Sequence, residues 1–115
     1  MAFYVDDVLY IYPDSEGRYN YPNNNNFTGE IRFLGQIQSS EWLKNGQFHR
    51  DPDPITGEEL PAIIDDHGNL KFYFKHNLHR MNGPAVIEST GYQEWWCRGV
   101  FYGNYKFKPA NFPKR

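Results

Sequence analysis

The chain has 115 residues, a mass of 13.6 kDa, a hydrophobic fraction of 39% and an aromatic fraction of 18%. Ten Gly and eight Pro spread along it exclude a helical bundle, and the aromatic content excludes a disordered chain. The net charge of −2 supplies no global basic field for nucleic acid, yet it is unevenly placed: −4 over residues 1–30, −3 over 31–94 and +5 over 95–115.

Phe3–Val5 and Val8–Tyr12 read as strands. The acidic start lacks the basic region of a signal peptide, and Val8–Tyr12 is too short to span a bilayer. With a single cysteine, Cys97, set beside Trp95 and Trp96 and expected to be buried, this points to a cytoplasmic protein with no membrane segment. Gly17, followed by Tyr19 and Tyr21, is a faint copy of a pattern that recurs downstream. Tyr21–Phe27, with four Asn, reads as a loop, and Glu30–Leu34 as a strand.

From Trp42 the chain repeats. Trp42 to Arg50 matches Phe72 to Arg80, each an aromatic start ending in His-Arg, at an offset of 30. Pro61-Ala62-Ile63-Ile64 then matches Pro84-Ala85-Val86-Ile87 at an offset of 23, so the first copy carries seven extra residues within Asp51–Leu60. A partial copy starts at Trp95 and has Tyr102-Gly103 in place of His-Arg, as a capping repeat would. Asn45-Gly46 predicts a type I′ turn, with His76-Asn77 and Arg98-Gly99 at the same position in later copies. A second turn falls at Asp66-His67-Gly68 and at Ser89-Thr90-Gly91. Short strands are expected at Ala62–Ile64, Leu70–Phe74, Val86-Ile87 and Gln93–Trp96. Gly83 is expected to supply a positive φ, with Pro84 fixing the approach to the next strand. Pro109 and Pro113 predict an extended, poorly paired tail from Lys106.

The expected fold is therefore all-β: an antiparallel meander of stacked β-hairpins. One domain spans 1–105, with less regular strands in 1–35 and hairpin repeats in 42–103, followed by a basic extended tail over 106–115. The segment Phe72…His79-Arg80-Met81-Asn82-Gly83-Pro84-Ala85…Gly91…Trp95 resembles the short MORN-like repeats of bacteriophage, giant-virus and bacterial proteins. That resemblance implies stacked hairpins and a viral or mobile-element origin, and implies no catalytic residues.

His49-Arg50 and His79-Arg80 read as module-holding pairs, with Arg stacked on an aromatic, rather than as ligands or acid–base groups. The inserted loop carries Asp51, Asp53, Glu58 and Glu59, whose spacing does not fit an EF-hand; it reads either as a solvated acidic loop or as a protruding acidic recognition element on a rigid scaffold. Trp96 and Tyr102 are candidates for an exposed aromatic patch, and Lys106 and Lys108 for docking on an acidic surface. No nucleophile–base set, phosphate loop, metal spacing or cofactor motif is visible; a histidine-based phosphodiesterase is the one enzymatic alternative. The expected function is a non-catalytic, virus-encoded protein that occludes a host protein, such as a bacterial immune effector. An acidic face, −7 over residues 1–94, would compete there for a groove that holds phosphates. Nucleic acid is a disfavoured partner. The alternative is a homo-oligomeric assembly protein joined edge to edge.

Overall fold

A computed structural model describes residues 2–22 and 26–114. Asn23, Asn24 and Asn25 of the asparagine loop and Arg115 of the tail lie outside the described residues. The fold is all-β, without helices among the described residues: β1 (Ala2–Val5), β2 (Val8–Ile11), β3 (Gly29–Phe33), β4 (Ser39–Lys44), β5 (Gln47–Phe48), β6 (Ile63–Ile64), β7 (Leu70–Lys71), β8 (Tyr73–Phe74), β9 (Asn77–Leu78), β10 (Val86–Ile87), β11 (Gln93–Cys97) and β12 (Val100–Gly103). Ten strands form one sheet in the order β1-β2-β3-β4-β6-β7-β10-β11-β12, with β5 also on β4, while β8 and β9 pair separately.

The pairings are antiparallel with one exception. β2 and β3 run parallel, with Val8 opposite Glu30 and Ile11 opposite Phe33, so the sheet is not a pure meander. A parallel neighbour needs a crossover of a dozen or more residues. The chain between β2 and β3 provides it, with no helix among its described residues. Asp14 Oδ1 accepts the N–H groups of Glu16 and Arg18, and the Tyr19 hydroxyl donates to the Leu34 carbonyl and accepts from the Ile37 N–H.

Two-residue turns with both φ positive close four hairpins: Asp6-Asp7 (49°, 67°), Asn45-Gly46 (51°, 75°), Lys75-His76 (49°, 67°) and Arg98-Gly99 (50°, 79°). The third lies one residue before the expected His76-Asn77, and Asn77 opens β9. Its bulky residues hold the left-handed region because each is tied to the preceding unit. Lys75 N–H donates to His49 Nδ1 at 2.9 Å, and His76 N–H donates to the Phe48 carbonyl at 2.8 Å. The same two bonds recur at Arg98 to His79 Nδ1 and Gly99 to Leu78 O, and again at Asn45 to Thr28 Oγ1 and Gly46 to Phe27 O. Thr28 follows Tyr21 by seven residues, as His49 follows Trp42 and His79 follows Phe72. The faint N-terminal pattern thus makes the same joint with a hydroxyl in place of an imidazole.

Across the sheet, Glu30 and Trp42 are directly opposite, and Ala62, Phe72, Ala85 and Trp95 continue the row through backbone bonds Trp42 N–H to Ala62 O, Ala62 N–H to Lys71 O, Phe72 N–H to Ala85 O and Ala85 N–H to Glu94 O. Both alanines are fully buried. Their small side chains leave room for what covers the rings. The Arg50 guanidinium lies 3.7 Å from the Trp42 centroid and that of Arg80 lies 4.0 Å from the Phe72 centroid. Arg50 also donates to the Pro61 carbonyl and Arg80 to that of Pro84. Gly83 does not have the expected positive φ. A Cβ there would sit 2.9 Å from Arg80 Cζ, so glycine is required for close approach to the guanidinium rather than for backbone conformation.

Among the described residues, no arginine covers Trp95, the last ring of the row. Phe112 meets it edge-on at 5.3 Å. The segment expected to run on as an extended tail instead folds back, with Pro109 and Phe112 buried and Trp95 Nε1 donating to the Tyr105 carbonyl. Burial of one large ring outweighs the pull of two prolines toward open extension.

Two hydrophobic clusters result. One joins Leu9, Ile11, Phe27, Ile31 and Phe33, and the other Trp95, Cys97 and Phe112 with Met81 and Tyr102. Registers place Leu9, Ile31, Glu41, Ile63, Lys71, Val86 and Glu94 in one line, so they share a face of the sheet. Trp95 and Cys97 point to the other face. The clusters therefore lie at opposite ends and on opposite sides.

Candidate recognition surface

The inserted segment between β5 and β6 is an ordered loop held by its own carboxylates. Asp53 Oδ1 accepts the N–H groups of Ile55 and Thr56 at 2.8 and 2.9 Å. Asp53 N–H donates to the Glu58 carbonyl, and Gly57 N–H to the Asp53 carbonyl, both at 2.8 Å. Gly57 makes this possible with φ of 74°. The Thr56 and Ile55 N–H groups hold the Asp53 carboxyl below its ordinary 3.8.

Each end of the loop is pinned. At the start, His49 is 5% exposed and uses both ring nitrogens. Because Nδ1 accepts the Lys75 N–H, the proton sits on Nε2, which donates to Asp51 Oδ1 at 2.7 Å. That bond lowers the Asp51 carboxyl. At the far end, Glu59 reaches the next unit. Its two oxygens accept the Met81 and Asn82 N–H groups at 2.8 Å each, with Arg80 Nε at 3.7 Å.

Glu59 is thus a clamp within the fold, not an exposed contact residue as expected. Asp51 and Glu58 are exposed, and Asp53 is half-exposed. At the tip, Ile55 is 92% exposed. The sequence reading missed it; the signal available was the one large apolar side chain between Asp51 and Glu59, set among acids, prolines and a glycine. Beneath the loop lies a cleft of about 400 Å³ lined by Arg50, Leu60, Phe72, Met81 and Arg98 among others.

The aromatic and basic candidates sit elsewhere, on β11, β12 and the segment after them. Trp96 is half-buried, 5.1 Å from Phe101, and its Nε1 donates to Glu94. Tyr102 is not part of an outer patch. Its ring packs edge-on against Phe112 at 5.2 Å, inside the second cluster. Lys106 and Lys108 are exposed, and the Lys108 ammonium lies 5.8 Å from the Phe112 ring. The structure thus divides the candidates into an acidic loop with an apolar tip and a cationic, aromatic C-terminal edge.

Among the described residues no group of three or more His, Cys, Asp or Glu is placed to hold a metal ion. No helix of the described residues is long and apolar enough to cross a membrane. Comparison of the chain with family models, with curated proteins and with solved structures gives no match.

Proposed function

We propose that this chain is a non-catalytic binding protein that works by covering a surface of another macromolecule, with the loop over 51–60 as its principal contact. One observation carries the reading: Ile55 stands 92% exposed at the tip of a loop whose two ends are pinned. An apolar side chain gains nothing there within the chain, but on a preorganised loop it is well placed to enter a partner's pocket. The flanking carboxylates of Asp51, Asp53 and Glu58 favour a protein whose pocket has a basic rim, such as a groove that otherwise holds phosphates. The histidine–arginine pairs support a non-catalytic role, since the His49 ring nitrogens and both guanidiniums are engaged within the fold.

The resemblance to MORN-like repeats gives the reading its most concrete form. The chain is then a stacked-hairpin, virus-encoded inhibitor acting in the host cytoplasm on a protein such as a bacterial immune effector. Affinity capture with quantitative mass spectrometry tests it, using the wild type and Ile55→Asp as baits at low and moderate salt. The expected result is a host protein retained by the wild type and lost by the variant, with equal thermal midpoints for the two baits. Failure of any host protein to distinguish the baits at either salt would refute the reading.

A further inference from the structure

We propose that copies of this chain associate head to tail, the β12 edge of one copy pairing antiparallel with the β1 edge of the next and extending the sheet. This goes beyond the binding reading and does not depend on the loop.

The two ends of the sheet order are β1 and β12, and neither strand has a second neighbour among the described residues. Sheet edges normally carry charge, proline or extreme brevity against such pairing. Here β1 reads Ala-Phe-Tyr-Val and is exposed throughout, and β12 reads Val-Phe-Tyr-Gly with Val100 and Phe101 about half exposed. Both strands are four residues long and uncharged.

Their hydrogen-bonding groups also match. A two-residue turn makes its flanking residues a mutually bonded pair, so Val5 bonds to Val8 and Val100 to Cys97. By alternation, the Tyr4 N–H and C=O point out of the β1 edge, and those of Phe101 point out of the β12 edge. Facing Phe101 with a neighbour's Tyr4 puts Val100 opposite Val5, and satisfies both residues' outward groups together. The side chains agree as well. Tyr4 lies opposite Leu9 and Phe101 opposite Trp96, which share one face of the sheet. The face therefore continues across the junction.

Chain direction and charge point the same way. A Cβ on Gly29 would lie 3.9 Å from the Asp7 carbonyl, so the Asp6-Asp7 turn sits on the side where Thr28 receives the next turn. With all four left-handed turns on one side, β1 runs toward that side and β12 away from it, as antiparallel pairing requires. The junction then sets Arg98 of one copy beside Asp6-Asp7 of the next, opposite charges within screening range of each other. The joined surfaces differ, so the contact is heterologous and propagates beyond a dimer.

Sedimentation velocity over a concentration series tests this. At low salt the wild type should rise past twice its 13.6 kDa mass, and return to monomer at high salt. Tyr4→Pro and Phe101→Pro each remove an outward N–H that no ladder bond within the chain uses. Each variant should be monomeric alone, and an equimolar mixture should form a species of twice the mass and nothing larger. Arg98→Asp, which places at φ 50° the residue type that Asp6 holds at 49°, gives a second arm with lowered association should either proline variant fail to fold. A wild type that stays monomeric, or that stops at a dimer, overturns the proposal. So does a mixture of folded proline variants that forms no complex.

Discussion

At the level of single residues, the joints between units consist of a ring nitrogen on a backbone amide and a guanidinium on an aromatic ring. Arg80 combines stacking on Phe72 with a bond to the Pro84 carbonyl, and burial lowers its pKa, the partial cost of that position. Arg80→Met keeps the apolar stem and loses both polar contacts. It should cost about 2 kcal/mol, read as a lower urea midpoint at unchanged slope. The turn at Asp65 gives a pH signature. Burial raises its carboxyl, but the N–H groups of Asn69 and His67 prevail and hold it below 3.8. A depressed folded pKa means stability that is present above 3.8 and is lost as pH falls through the lower folded value. Asp65→Asn retains an acceptor oxygen, so it should flatten the fall of thermal midpoint with acid. Glu41 has the opposite sign. Burial raises its pKa against the lowering effect of the Tyr21 hydroxyl bond, so its contribution is lost as pH rises, and Glu41→Gln should raise the midpoint at neutral pH. The stacking of Arg50 and Arg80 is legible from their repetition after an aromatic. The bonding of Glu59 is not, because its partners are backbone amides 22 and 23 residues away.

Among the elements, the C-terminal segment is the clearest case of a cap. Phe112 is 4% exposed against Trp95, Cys97 and Tyr102. Phe112→Ala should destabilise by about 3 kcal/mol and shift the tryptophan emission to the red as water reaches Trp95. Two prolines mark this segment as extended, whereas the informative residue is the single phenylalanine between them. Hairpins are legible where residue type alone demands a positive φ, as at Asn45-Gly46. They are misplaced by one residue at Lys75-His76, where neighbouring bonds rather than intrinsic preference hold the backbone. The parallel pairing of β2 with β3 leaves no local trace, because it is decided by Phe27, Ile31 and Phe33 closing on Leu9 and Ile11.

For the whole molecule, the separation of the two clusters sets the pattern of stability. A radius of gyration of 15.3 Å and extents of 49 × 29 × 24 Å describe a slab, against about 13 Å for a compact chain of this length. Between its ends run short strands joined by the histidine–arginine contacts. In such a quasi-linear array, damage stays near its origin. Hydrogen exchange on Phe112→Ala should therefore accelerate most over 93–103 and least over 8–33. The inserted loop has a related consequence. Its base is closed by the bond from Asp53 N–H to the Glu58 carbonyl and anchored by Glu59, so residues 54–57 hang outside the repeating architecture. The slab serves as a chassis, and what it presents can be exchanged as a cassette without retooling the rows beneath.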